Sequence, residues 1–240
     1  MSINANQGQT YSEYRPPDSQ REQLLEVSVF LLLIVPSMIL SFFVIRQGGL
    51  GFVFTACSVI LRDLALVSLI MFFIWRNGES LELLGWNFKN GWRDVALGIG
   101  LFFPMFFGAG VLDHALQTVG FSAPATPMPS FLEAKGQAEL LLAFFLVVWV
   151  AIAEETIFRG YLLLRFQGAN LSLPWAVLLA VVIFSLGHGY EGGSGVVTVG
   201  AMGFLFALVY LWRQSLVAPM VMHFLQDFTG IVLAPLLGLK

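Results

Sequence analysis

Charge is scarce in this chain of 240 residues. Charged side chains make up 11% of it and apolar side chains 58%, whereas soluble domains contain about 25% charged and about 45–50% apolar residues. The composition excludes one ordinary water-soluble domain, so most of the chain is expected to lie in lipid. The 23 Phe and 6 Trp also exclude a disordered chain.

Clustered positive charge and paired cysteines are missing as well. The formal net charge is −3 and the 12 Lys and Arg form no cluster, which excludes nucleic acid as a partner because that binding needs a concentrated basic surface. Cys57 is the single cysteine, so no disulfide can form within the chain.

Long apolar runs fill the sequence instead. A spanning helix takes roughly 20 residues, and backbone groups in lipid must be paired within their own segment, which favours helices over strands. We therefore expect an all-α, polytopic membrane bundle of about seven transmembrane helices, within a range of six to eight, enclosing a buried polar site. The predicted spans are residues 24–45, 53–75, 95–119, 138–166, 172–190, 195–212 and 216–237.

The remaining polar segment is at the start of the chain. Residues 1–23 lack the apolar core of a signal peptide, so we expect a flexible cytoplasmic tail followed by a single membrane domain over residues 24–240. With the N-terminus inside, eight basic residues fall on inner segments and three on outer ones. The positive-inside rule therefore predicts a cytoplasmic N-terminus.

The fourth apolar stretch contains three charged residues. Glu155 and Arg159 are spaced i,i+4, which places them on one face of a helix, and Glu154 points about 100° away from that pair. Each such residue costs roughly 2.5–3.5 kcal/mol in a membrane helix, so a functional role is the default hypothesis. We predict that Arg159 neutralises Glu155 and that Glu154 is left to act as a general base.

Two further pairs lie in the fifth and seventh stretches. Phe184 and His188 are spaced i,i+4, and so are His223 and Asp227. At about 1.5 Å of rise per residue, Glu154, His188 and Asp227 reach similar depths when counted from the inner turns. A single Glu or His in such a helix is often a structural hydrogen bond between helices. The convergence of these residues in one layer indicates a functional site.

Other intramembrane polar residues have simpler interpretations. Adjacent Arg62 and Asp63 face different directions and are predicted to contact neighbouring helices. Asp113 and His114 are predicted to form a solvated helix end, and Glu191 an exposed loop charge.

Three motifs in this order resemble the CPBP family of intramembrane proteases, which includes the type II CAAX prenyl endopeptidases and the bacteriocin-processing or Abi proteins. The motifs are Glu154-Glu155-x-x-x-Arg159, Phe184-x-x-x-His188 and His223-x-x-x-Asp227, and the resemblance covers a protease-like core at about residues 138–233. It implies peptide-bond hydrolysis in a cavity within the membrane, in which Glu154 and His188 activate water.

The resemblance implies roles for the other motif residues too. Glu155, His223 and Asp227 complete the predicted catalytic set, with His223 and Asp227 supporting the oxyanion or a metal. Arg159 and Phe184 are the predicted structural support. The family has been described both as metalloproteases and as glutamate proteases, so a cofactor stays open. Glu154, His188, His223 and Asp227 could hold Zn²⁺, although the chain has no HExxH motif.

The expected partners are the lipid bilayer and a protein or peptide substrate that can be prenylated. The expected location is a bacterial inner membrane.

Three alternative functions stay open at this point. Buried carboxylates and histidines also form the relays of proton- or ion-coupled carriers. A non-catalytic protein of the bacteriocin-immunity type could keep the fold. Ser194 in Gly192-Gly193-Ser194-Gly195 has the form of a rhomboid serine nucleophile, with His223 as its base.

Overall fold

The computed structural model describes residues 20–44, 51–125, 129 and 131–238, and all regular structure in these ranges is helical. Seven helices occupy the seven predicted stretches, which confirms the predicted fold class. They are α1 Gln20–Val44, α2 Phe52–Arg76, α3 Trp92–Thr118, α4 Gly136–Gly168, α5 Leu173–Leu186, α6 Gly192–Arg213 and α7 Val217–Leu236.

The boundaries differ from the prediction at two places. Most of the predicted tail, residues 1–19, lies outside the described residues, but α1 already begins at Gln20. The predicted span 172–190 is too long, because α5 ends at Leu186 and the glycine-rich stretch after it leaves the helix. At 14 residues, α5 is about 21 Å long and therefore shorter than the roughly 30 Å hydrocarbon core.

Five helices are long and apolar enough to cross a membrane: α2, α3, α4, α6 with the turn before it, and α7. Their outward surfaces carry large apolar side chains, such as Trp75, Leu141 and Trp212, which are 76%, 59% and 64% exposed. An apolar outer surface is what a bundle surrounded by lipid requires, since lipid does not penalise such exposure.

α4 and α7, which carry the predicted catalytic carboxylates, each change from α-helical to π-helical geometry next to those residues. In α4 a π-helical segment, Thr156–Leu162, follows directly after Glu155. In α7 a second one, Phe228–Leu233, follows Asp227. Such π segments are rare and occur frequently at functional sites. Both of them lie directly after a predicted catalytic carboxylate.

The helices around α4 set the layout of the site. α4 packs against α2 and α7, α3 packs against α6 and α7, and α5 packs against α6. The second half of α4 is fully enclosed, with Tyr161, Leu162 and Leu163 each 0% exposed. α4 is therefore the central helix, and α7 and the turn after α5 bring the histidines to it.

A buried ion-pair network anchors the end of α4. The Arg165 guanidinium is 0% exposed and donates two hydrogen bonds to Glu79, at 2.8 and 2.6 Å. Its Nε lies 2.7 Å from Glu26 Oε2, and Glu26 also accepts from Arg76 at 2.6 Å. The network joins α1, α2 and α4, so Arg165 is a buried structural residue rather than a boundary charge.

The turn between α6 and α7 is held by the segment that precedes α3. Leu216 N donates to Gly85 O at 3.0 Å and Ser215 Oγ donates to Asn87 O at 3.1 Å. Gly85 has φ +82°, and a Cβ there would lie 2.5 Å from the Tyr210 ring. Only glycine fits this position, and the contact sets where α7 begins.

Candidate active site

Glu155 and Arg159 form the ion pair that their spacing predicts. Arg159 Nη1 donates to Glu155 Oε1 at 2.9 Å, with the two side chains 2% and 0% exposed. Arg159 Nη2 also donates to the Gly203 carbonyl at 3.0 Å. The guanidinium carbon lies 4.3 Å from the Phe184 ring centroid and 5.2 Å from that of Phe206, within cation–π range.

His223 is surrounded by three carboxylates. Its Nδ1 lies 2.9 Å from Glu155 Oε1, while its Nε2 lies 3.5 Å from Asp227 Oδ2 and 3.8 Å from Glu154 Oε2. The imidazole is stacked on the Phe206 ring, with centroids 5.5 Å apart. The ring is therefore fixed by Glu155 on one side and presents its other nitrogen to Asp227 and Glu154.

Glu154 has a different environment from its neighbour Glu155. Its side chain is 13% exposed, and its Oε2 is buried without a hydrogen-bond partner among the residues that the structure describes. A buried carboxylate oxygen without a partner is costly, so the position suits a group that meets water or substrate.

His188 lies in the turn after α5 and not on its face, so the predicted helical placement is wrong. The reason is local: α5 has ended at Leu186 and a short turn, Gly189–Glu191, follows. His188 Nδ1 lies 3.2 Å from the Phe184 carbonyl oxygen. A carbonyl only accepts, so Nδ1 carries the hydrogen and a neutral His188 keeps Nε2 as an acceptor.

One cavity of about 960 Å³ brings four of the predicted residues together. Glu154, His188, His223 and Asp227 all line it. The fifth, Glu155, is not among its lining residues and reaches the cavity only through His223. The convergence of α4, α7 and the turn after α5 was predicted from depth along the helices, and the structure shows it.

The sequence of this region matches a known family. Residues 136–229 match the family model described as type II CAAX prenyl endopeptidase Rce1-like. This segment is similar to the Rce1-like family. The match confirms the predicted resemblance to the CPBP family, and it contains all three motifs. No curated protein and no solved structure matches the chain.

The match supports a general activity. It supports an integral membrane protease of the CAAX type, which implies a peptide substrate in a membrane context. Among the described helices, α4, α5, α6 and most of α7 belong to the matched segment. The first three helices add part of the cavity wall, since Arg62 and Asp113 line it.

The structure places two acidic residues of the cavity differently from the prediction. Glu191 is partly buried and lines the cavity, so its prediction as an exposed loop charge is wrong. Asp113 is also partly buried: its Oδ2 accepts from Gln117 at 2.8 Å, and its Oδ1 has no partner in the described part of the chain. No periodicity could place these residues, because the end of α3 and the turn after α5 meet only in the folded bundle.

Arg62 and Asp63 pair with each other. Arg62 Nε donates to Asp63 Oδ1 at 2.9 Å, and Asp63 is 1% exposed. The prediction of contacts with neighbouring helices did not include this pairing. Adjacent residues can meet here because the arginine side chain is long enough to fold back along α2.

Ser194 has no access to the cavity of the Rce1-like segment. It is 0% exposed at the start of α6, and Gln117 Nε2 lies 3.5 Å from its Oγ. It is not among the residues lining the cavity that contains His223. A serine nucleophile must reach the substrate, so the rhomboid-like alternative has no support in this geometry.

The four residues predicted as a zinc set do not form one. In the parts of the chain that the structure describes, no group of three or more His, Cys, Asp or Glu side chains could hold a metal ion. In each histidine Nδ1 is engaged, by Glu155 in His223 and by a carbonyl in His188, so Nε2 is the nitrogen left for another partner.

Proposed function

We propose that this chain is an intramembrane endopeptidase in which Glu154 and His188 activate a water molecule for attack on a peptide bond. One observation carries the proposal. Glu154 Oε2 is buried without a hydrogen-bond partner in the described structure, on a cavity that His188 also lines. The Glu154 side chain is nevertheless 13% exposed, and a water molecule between its carboxylate and His188 Nε2 would satisfy both acceptors with its two hydrogens.

These groups are enough for the proton transfers. Glu154 takes a proton from the water molecule while the water oxygen attacks the carbonyl carbon of the peptide bond. The second hydrogen of the water forms a hydrogen bond to His188 Nε2, which orients the nucleophile. When the carbon–nitrogen bond breaks, Glu154 returns the proton to the leaving amine. The products are a new carboxylate and a new amino terminus.

His223 is the proposed donor to the oxyanion. Its Nε2 faces the side of the cavity where Glu154 lies, at 3.8 Å from the carboxylate oxygen. Because a carboxylate only accepts, Nδ1 carries a hydrogen toward Glu155, so Nε2 carries one only when the imidazole is protonated. The protonated ring would donate this second hydrogen to the carbonyl oxygen as negative charge develops there. An ionised carboxylate cannot donate, so Asp227, at 3.5 Å from Nε2, serves to orient His223.

Glu155 and Arg159 position that donor. Glu155 accepts from Arg159 and contacts His223 Nδ1 through the same Oε1. Because both are buried and Arg159 is also bonded to the Gly203 carbonyl, the imidazole orientation is set before substrate enters. Glu155 is thus a positioning residue that acts through His223.

The proposed substrate is a membrane-associated or lipid-modified protein, including one with a prenylated C-terminus. The Rce1-like match supports this class, and the site lies among apolar helices that a lipid-linked peptide reaches from the bilayer. The proposed location is a bacterial inner membrane. The distribution of basic residues supports an N-terminus in the cytoplasm. The site is proposed to work without a bound metal.

Comparative analysis of protein termini tests this function in cells. Cells that produce the wild type are compared with cells that produce Glu154→Gln, and with Glu82→Gln as a control at an exposed carboxylate. We expect membrane proteins whose termini stay uncleaved only in Glu154→Gln. Identical termini in all three strains would contradict the proposal, and ion-dependent uptake by proteoliposomes without cleavage would favour a carrier.

A further inference from the structure

The threonines of the described helices fall into two groups by the partner of their hydroxyl. Thr118, Thr156 and Thr229 each donate to a carbonyl of their own helix, at 2.7 Å. This bond to the preceding turn is a common way for a helical threonine to satisfy its hydroxyl. Thr55 and Thr198 lack it, and their Oγ1 atoms are buried without a hydrogen-bond partner among the residues that the structure describes. Of the described threonines, these two are also the ones that line the cavity.

Gln226 is a second neutral polar residue with an unpaired atom at the cavity. Its Oε1 is buried without a hydrogen-bond partner in the described part of the chain, and its partly buried side chain lines the cavity. It follows His223 by three residues, so the two side chains are neighbours on one face of α7. A buried polar atom without a partner costs free energy. We therefore expect a ligand in the cavity to supply partners for Gln226 and Thr198.

Thr198 and Gln226 lie on two helices that pack together beside His223. α6 packs against α7, and Phe206 on α6 is stacked on the His223 ring with centroids 5.5 Å apart. Thr198 precedes the last residue of α6 by 15 residues, and Gln226 follows the first residue of α7 by nine. Counted from the turn that joins the helices, the two positions thus differ by about 9 Å of helical rise. This is the length of roughly two to three residues in an extended chain.

The chemistry of the two side chains selects a neutral ligand that has both donors and acceptors. A carboxamide presents an acceptor beside two N–H donors, and a threonine hydroxyl both donates and accepts. In an extended chain the N–H and C=O of one residue can pair with a single partner residue, as they do in a sheet, and a carboxamide can replace that partner. A helical segment cannot bind in this way, because its N–H and C=O groups are already paired within the helix.

We propose that Gln226 and Thr198 bind the backbone of an extended substrate peptide. Gln226 pairs with the N–H and C=O of one peptide residue, and Thr198 Oγ1 accepts from a backbone N–H two to three residues away. The proposal rests on the proposed protease function and adds two substrate-binding residues to its site. It requires a helical segment of a substrate to unwind before it enters the cavity. Because it concerns binding, it can be measured on a chain that does not cleave the peptide.

Ester substitution in a peptide tests these hydrogen bonds. The probe is the hexapeptide Ala-Ala-Cys-Val-Leu-Ser with a farnesyl group on its cysteine. Each peptide bond is replaced in turn by an ester, which removes one N–H and keeps the length of the chain. Binding is measured to the full chain in detergent with the Glu154→Gln substitution, so that no probe is consumed.

The Glu154→Gln chain is compared with chains that carry one further substitution. Gln226→Met and Thr198→Val remove the polar atoms at similar size, whereas Gln226→Glu and Thr198→Ser keep an acceptor oxygen. Thr229→Val is the matched control, because this helical threonine donates to a carbonyl of its own helix and does not line the cavity.

We expect one ester to bind at least tenfold more weakly than the all-amide probe, because Gln226 Oε1 loses its donor. In Gln226→Met the all-amide probe should bind about tenfold more weakly and this ester should lose nothing more, whereas Gln226→Glu should still discriminate between the two. An ester two or three bonds away should show the same coupling to Thr198→Val and not to Thr198→Ser. Thr229→Val should change neither loss.

Two results would overturn the proposal. One is that all esters bind like the all-amide probe. The other is that the losses persist in Gln226→Met and Thr198→Val, as a packing defect without a hydrogen bond to the probe would predict.

Cleavage of the all-amide probe by the otherwise wild-type chain is measured in parallel. Gln226→Met should lower kcat/KM for this probe at an unchanged melting temperature, and kcat/KM equal to that of the wild type would overturn the proposal. Losses of binding that are coupled to Gln226 and Thr198, without any cleavage by the wild type, would leave the backbone site intact and contradict the protease function instead.

Discussion

Glu155 Oε1 on α4 and His223 Nδ1 on α7 are 2.9 Å apart, with both side chains buried. The same oxygen accepts from Arg159 at 2.9 Å. Two helices that are distant in sequence are therefore joined by one carboxylate, and the proposed oxyanion donor depends on it.

Removal of the charge on Arg159 should destabilise the bundle. Arg159→Met leaves Glu155 buried without its cation, which costs about 3–5 kcal/mol, and thermal unfolding in detergent measures this. Combining Arg159→Met with Glu155→Leu removes both charges and should restore much of the loss. Cleavage should stay impaired in the double variant, because His223 has lost the partner of Nδ1. A single variant as stable as the wild type would contradict the account.

Two glycines on α6 offer a matched comparison. A Cβ at Gly203 would lie 2.8 Å from the Phe184 ring and 2.9 Å from Arg159 Nη2, whereas one at Gly200 would lie 3.5 Å from its nearest neighbour. Gly203→Ala should destabilise by about 1–3 kcal/mol through overpacking and lower activity by moving Arg159. Gly200→Ala should leave the melting temperature and cleavage close to wild type. Equal effects of the two substitutions would argue against the described packing.

The serine alternative makes an opposite prediction at Ser194. This side chain is 0% exposed and does not line the cavity. Ser194→Ala should therefore retain a cleavage rate within about twofold of the wild-type rate, and it should respond to the same inhibitors as the wild type. Loss of cleavage by about 100-fold or more, with an unchanged melting temperature, would instead restore the serine mechanism.

Metal removal tests whether the polar residues of the cavity hold a metal ion. Since no metal-binding group of side chains occurs in the described ranges, we expect cleavage to continue after treatment with 1,10-phenanthroline and dialysis. Elemental analysis of the purified chain should find zinc well below one atom per chain. Reversible loss of activity that returns with added Zn²⁺ would contradict this and assign the carboxylates and histidines to a metal.

Much of the fold could be predicted because it depends on interactions between residues that are close in the sequence. Apolar runs of spanning length predict helices, and i,i+4 spacing predicts the Glu155–Arg159 pair that the structure shows. Depth counted along helices also predicts that Glu154, His188 and Asp227 meet. These inferences need only the regular rise of a helix.

The remaining features depend on contacts between distant segments. His188 lies beyond the end of α5 because glycines follow Leu186, and periodicity alone cannot show where a helix stops. Glu191 and Asp113 face the cavity because a turn and the end of α3 meet there. Arg165 pairs with Glu26 and Glu79, which come from two other segments of the chain.

The central claim is that Glu154 activates water together with His188, and turnover of a peptide by purified chain tests it most directly. The cleavage rate of a farnesylated peptide is measured for the wild type, Glu154→Gln, His188→Ala and the surface control Glu82→Gln, with melting temperatures recorded for each. The account predicts at least a 1,000-fold loss of kcat in Glu154→Gln and about a 100-fold or greater loss in His188→Ala, with all four chains folded. Wild-type turnover by folded Glu154→Gln would contradict it.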